Sequence, residues 1–203
     1  MQLADHWSFN FRKDPKILGF FLSRYLFASK MLRNNSFILE LGCSEGMAVP
    51  SLMQKGKSYT GVDFDLLSIK AAKERFLGDK YSFFGEDFLG KSYGKYDAVV
   101  SIDVIEHIFL ENENLFFQTV TKNLQTEGIA VIGTPNQTAA SYASEASNAG
   151  HVNLYTQERL REKMLDYFHG VLCFGINDEM VHTGFGDMCH YLFCIGFNKR
   201  ERL

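Results

Sequence analysis

Phe37-Ile-Leu-Glu-Leu-Gly-Cys-Ser-Glu-Gly46 decides how this chain folds. Its apolar residues run into Gly42, which is how a buried parallel strand ends. Glu40 interrupts the run near the strand's carboxyl end. Gly42 and Gly46 let the backbone turn sharply and come close to a ligand. A helix is expected from about Met47. In open α/β sheets, ligands sit outside the carboxyl ends of the strands, so this turn is the expected cofactor site. The dinucleotide fingerprint G-x-G-x-x-G is not met, because Ser44 replaces its middle glycine.

Working outward, Ser58 to Phe64 reads as a second strand ending at Asp63, 21 residues beyond Gly42. An acidic residue about 20 positions on is placed to accept hydrogen bonds from ribose hydroxyls. Asp65 can cap a helix from Leu66 to Phe76. Tyr81 to Asp87 is a third strand and Tyr96 to Asp103 a fourth, both ending in acid, with Glu106 and His107 just beyond. A helix from Asn112 to Leu124 leads into a fifth strand, Gly128 to Asn136. Gln137 to Asn153 turns to Ala, Ser, Asn and Gly, and reads as a loop or short helix over the site. Thr156 caps a helix to about Phe168, and Val171 to Ile176 and His190 to Phe197 form two last strands, the second closing a hairpin into the sheet.

Before the opening strand, Asp14-Pro15 starts a helix running to about Leu32. His6, Trp7, Phe9 and Phe11 precede it and read either as packing against the sheet edge or as a lid. The whole is therefore expected to be α/β: a Rossmann-like, seven-stranded, mostly parallel sheet with an antiparallel last strand and helices on both faces. One domain is expected over residues 1–203, with 1–33 an N-terminal helical lid.

At 203 residues the chain can bury a proper core, and its 46% apolar and 22% charged composition is ordinary for a globular protein. The net charge of −3 disfavours a general nucleic-acid binder. No apolar run approaches the ~18 residues of a membrane span, and no secretion signal is read at the N-terminus. The four cysteines form no C-x-x-C pair and read as free thiols in a reducing cytosol, with no metal expected.

Glu40-x-Gly42-x-Ser44-x-Gly46 resembles the first motif of class I S-adenosylmethionine (SAM) dependent methyltransferases, E/D-x-G-x-G-x-G, with the middle glycine lost. Gly61-Val-Asp-Phe64 resembles the family's ribose-binding strand end, and Glu86-Asp-Phe88 the segment whose acid meets adenine. Tyr96 to His107 resembles the D-x-x-x-x-x-x-V-x-E-H stretch of the ubiquinone-biosynthesis-like branch, and Gly128 to Asn136 its later strand. Gly150-His-Val-Asn-Leu-Tyr-Thr156 also looks like a family segment. The resemblance implies SAM as cofactor, held by Glu40, Gly42, Cys43, Gly46, Asp63, Phe64, Asp87, Phe88, Ser101 and Ile102. The strand-end acids Glu40, Asp63, Asp87 and Asp103 suit a cation that carries spread-out hydrogen-bond donors.

The expected activity is methylation of a small polar metabolite, at oxygen, with a surface-glycan or phosphorylated precursor suggested by the Asn177 to Phe185 run. O- against N-methylation is not decided by the residues. His151, then His107, are the candidate bases, and His182 and Asn177 the candidate acceptor contacts. An NAD-dependent oxidoreductase and a non-catalytic SAM-fold partner subunit are the alternatives. A cytoplasmic enzyme with a small-molecule acceptor, and without nucleic-acid or membrane partners, is expected; its oligomeric state stays open.

Overall fold

The computed structural model describes Arg12, Asp14 and residues 16–201. The aromatic segment from His6 to Phe11 and Pro15 lie outside the described residues. Helix α1, Lys16–Met31, begins where the Asp14 carboxylate accepts from Lys16 N at 3.0 Å. Strand β1, Ser36–Leu41, is followed by a short helix α2, Val49–Leu52, then β2, Gly56–Asp63, α3, Leu66–Arg75, and β3, Tyr81–Gly85. Strand β4, Tyr96–Ile102, leads through two 3₁₀ turns to α4, Glu113–Asn123, and β5, Leu124–Pro135. A 3₁₀ segment Gln137–Tyr142, α5, Glu145–Gly150, and α6, Gln157–Leu165, come next. Strands β6, Phe168–Asn177, β7, Met180–His182, and β8, Tyr191–Lys199, complete the chain.

The eight strands lie in the order β3-β2-β1-β4-β5-β8-β6-β7. Strands β1 to β5 pair in parallel, and β8 inserts antiparallel between β5 and β6. The sequence predicts seven strands, and the additional one is β7. It arises because Asp178 adopts φ 53° and folds the chain back, pairing Asn177 with Met180. Without apolar alternation, three residues give no strand signal of their own.

Strand alternation sorts the central strand between two cores. Ile38 faces α1, α2 and α3, while Leu39 and Leu41 face α4 and α6. All three are fully buried, each worth about 1.5–3 kcal/mol of apolar transfer. Phe27 of α1 packs its ring against Phe174 and Phe193, at 5.1 and 5.0 Å between centroids, and so docks α1 on the sheet.

The turn after β1 holds three left-handed residues in five: Gly42 at φ 82°, Ser44 at φ 46° and Gly46 at φ 77°. Gly42 is also demanded by space, since a Cβ there would lie 2.2 Å from Val104 Cγ2. Ser44 takes a conformation that glycine adopts more readily. A Ser44→Gly variant should therefore be more stable by about 0.5–1 kcal/mol, the left-handed cost exceeding glycine's extra entropy. Urea unfolding checks this; a loss of stability would show that the serine side chain itself holds the turn.

Candidate active site

The turn sits at the carboxyl edge of the sheet, at the mouth of a cavity of about 610 Å³. That volume lies within the usual range for small-ligand sites. Gly42, Asp63, Phe64, Asp87, Phe88 and His107 line it, together with Ser44 and Asp103. Asp63 closes β2 with both carboxylate oxygens engaged: Ser44 N donates to one at 2.8 Å and Asp65 N to the other at 2.9 Å. Its remaining lone pairs stay free for further donors. Asp87 accepts from Leu89 N at 2.9 Å.

Asp103 stands one residue beyond β4 at φ 58°. Arg24 of α1 donates to both of its oxygens, at 2.9 and 2.7 Å, across 79 residues of sequence. The same guanidinium lies 3.8 Å from the centre of the Tyr191 ring. Burial and Asp103 act on Arg24 in opposite directions, and the charge of Asp103 leaves its pKa raised. Only the fold brings Arg24 to Asp103, which lines the cavity, while Arg24 itself stays behind that wall. Amphipathic periodicity alone does not separate a solvated arginine from one turned toward a site.

Other expected cofactor residues lie behind the turn. Glu40 is 1% exposed, because alternation points it beneath α1 rather than into the cavity. The Tyr59 hydroxyl donates to its carboxyl group. Burial raises the Glu40 pKa to about 7, with hydrogen bonds from Tyr59 and Tyr25 opposing that shift. Cys43 is also buried, its sulfur close to Gly61. Gly46 shapes the turn without lining the cavity. Ser101 donates to Leu41 O at 3.1 Å and Ile102 packs in the core, so both support the site from within. Glu45, beside Gly46, pairs with Arg75 at 2.8 Å and ties the turn to α3.

The two candidate bases come together. His107 and His151 have ring centroids 5.2 Å apart. His107 lines the large cavity, and His151 lines a neighbouring one of about 250 Å³ with Asn136, Tyr142 and His190. His107 Nδ1 lies 2.8 Å from Gly150 O, a contact that makes Nδ1 the donor and leaves Nε2 free to accept. Burial, then the neighbouring His107, lower the His151 pKa, which favours its neutral form. The segment bearing His151 is fixed: Val152 N and Asn153 N both donate to Glu106 O. Beyond it, Tyr155 and Arg159 converge on Glu113.

Glu106, His107 and His151 each offer a ligand atom within 4.8 Å of one another. One carboxylate and two imidazoles are donor types that suit a divalent cation. The sequence reading expected no metal, on the lack of a C-x-x-C pair among the cysteines, and did not consider these three residues together. Burial and Asp103 raise the pKa of Glu106, whose side chain accepts from Thr134 at 3.0 Å.

Asn177 and His182, the expected acceptor contacts, line neither of these two cavities. Asn177 accepts from His190 N at 2.9 Å, and Gly184 N donates to His182 at 3.1 Å. Both brace the segment between β6 and β8. The residue of that segment that does line the second cavity is His190. Its sequence signal was a polar residue at the start of a strand.

Comparison with known proteins agrees with this geometry. A profile of the methyltransferase domain matches residues 13–167. The ubiquinone biosynthesis O-methyltransferase of Bartonella tribocorum is 29% identical over 115 residues, 54% of this chain and 45% of that protein. Its counterpart from Pelagibacter ubique is 26% identical over 129 residues, 62% and 52%. The chain thus spans about half the length of these curated relatives. Among solved structures, a TehB-like SAM-dependent methyltransferase from Corynebacterium glutamicum superposes with TM-score 0.71 at 16% identity, covering 97% of each chain. The plantazolicin methyltransferase bound to S-adenosylhomocysteine (SAH) gives 0.67 at 15%, covering 95% of this chain and 88% of that one. At those identities the likeness shows the fold alone. Because the family profile spans most of the chain, from before α1 to the end of α6, this protein belongs to the class I SAM-dependent methyltransferases.

Proposed function

We propose that this enzyme O-methylates a small polar metabolite in the cytoplasm. The observation that carries this reading is the meeting of His107 and His151 where the large cavity adjoins the second one. SAM would occupy the first, with Asp63 toward the ribose and Asp87 toward the adenine. Its sulfonium methyl would then face the acceptor in the second. Bound there, SAM would supply the methyl group, and the imidazoles of His107 and His151 would take the proton that the acceptor hydroxyl gives up. Much of the rate comes from holding these partners aligned.

Among the described residues, the lining of both cavities contains no lysine or arginine. That lining suits an uncharged or cationic hydroxyl compound. An acceptor panel read out by SAH release tests the proposal. Turnover with hydroxyl compounds and none with their phosphate esters is expected; release with amines alone would overturn it.

The Glu106–His107–His151 donor set favours a second reading of the same chemistry. A divalent cation there would acidify an acceptor hydroxyl directly. Running the panel with a chelator separates the readings: turnover that survives chelation leaves the proton to histidine. No described helix is long and apolar enough to cross a membrane.

A further inference from the structure

Strands β6 and β8 run antiparallel, with Cys173 directly opposite Cys194. Opposed residues in such a pair have Cα atoms about 4.5–5.5 Å apart, inside the roughly 4.4–6.8 Å span of a disulfide. Both side chains leave the same face of the sheet, packing on the core beneath α6. The sulfurs approach to 3.0 Å, and both thiols are free. Cys194 is buried, whereas Cys173 is half-buried near the sheet edge, beyond which, among the described residues, lies only the three-residue β7. Methyl transfer has no use for this pair.

We infer that Cys173 and Cys194 form a reversible dithiol–disulfide couple, oxidised by a hydroperoxide, that closes residues 174–193 into a loop. The Cys173 thiolate attacks the peroxide, forming an S–O bond as the O–O bond breaks and hydroxide or alkoxide leaves. Sulfur is oxidised to the sulfenic acid and the peroxide is reduced. Cys194 sulfur then attacks Cys173 sulfur; the S–S bond forms, the S–O bond breaks, and the departing hydroxide takes the Cys194 proton as water. The asymmetry of the pair sets this order. Contact with Cys194, and then the positive Arg161, lower the Cys173 pKa, while Cys194 is raised. A low-pKa, accessible thiol is the one that oxidises first.

The closed loop contains β7 and His190, which lines the second cavity. Oxidation would therefore restrain one wall of the proposed acceptor site. That consequence rests on the function proposed above; the cross-link itself does not.

Treatment of the full chain with hydrogen peroxide, followed by unfolding and alkylation, tests the couple. Two of the four cysteines should resist alkylation until a dithiol reductant is added, and a peptide map should join Cys173 to Cys194. The Tm should rise by about 5–10 °C on oxidation, as expected for closing a loop of this length. Cys173→Ser should lose both the cross-link and the Tm rise while folding as before. Four alkylated thiols after peroxide, a bridge to Cys43 or Cys189, or an undiminished Tm rise in Cys173→Ser would overturn the inference. Loss of acceptor turnover is read separately, so its absence would bear on the function and not on the bridge.

Discussion

His151→Ala should lower turnover by roughly 10²–10⁴, the usual cost of removing a group that handles the transferred proton. SAM affinity should stay near the parental value, because His151 lines the second cavity and not the large one. SAH release with the acceptor found in the panel gives the first quantity, and calorimetry with SAM gives the second. His107 makes a useful contrast. It lines the large cavity and anchors Gly150, so His107→Ala should disturb cofactor affinity and turnover together. Near-parental turnover in His151→Ala would remove His151 as the base and make alignment of the reactants the better account of catalysis.

Asp63→Ala is expected to have the largest effect on the cofactor. Two losses combine. Hydrogen bonds from ribose to the carboxylate are worth about 1.5–3 kcal/mol. In addition, Ser44 N and Asp65 N lose their acceptor, which loosens a turn already held in the left-handed region. The Ser44 N–H is partly buried, and leaving such a donor unpaired costs about 1–3 kcal/mol. SAM should then bind more weakly by roughly 10²–10³ or more, at about 1.4 kcal/mol per tenfold. Asp63→Asn keeps one acceptor oxygen and should fall between the two. Unchanged affinity in folded Asp63→Ala, measured by calorimetry, would remove Asp63 from the cofactor site.

The first five strands were legible because each apolar run ends in a polar or glycine residue at the same edge. Asp63, Asp87 and Asp103 reached that edge as read, since each lies at or just beyond the end of its strand. Glu40 did not, because it lies one residue inside β1, where the period of two points it under a helix. Arg24 was not read as a site residue and His190 only as the start of a strand, because the neighbours of each in space are far away in sequence. Asn177 and His182 line neither cavity, because polar residues beside glycines describe a braced turn as well as a binding loop. The pairing of Cys173 with Cys194 depends on the register of two strands, which no local pattern reveals.

Glu40 makes folding a titration. Its carboxyl moves from an ordinary value of 4.5 to about 7 when the chain closes over it. Between those values the folded chain holds a proton that the unfolded chain has released. A raised carboxyl favours the fold fully below pH 4.5, and that advantage drains away as pH climbs through about 7. The difference amounts to about 3 kcal/mol across the window. Acid is therefore this residue's ally, the reverse of the usual surface carboxylate. Glu40 is most at ease in mildly acidic solution, and a rise toward alkaline pH asks the protein to keep a charge in its own interior with only two tyrosine hydroxyls to meet it.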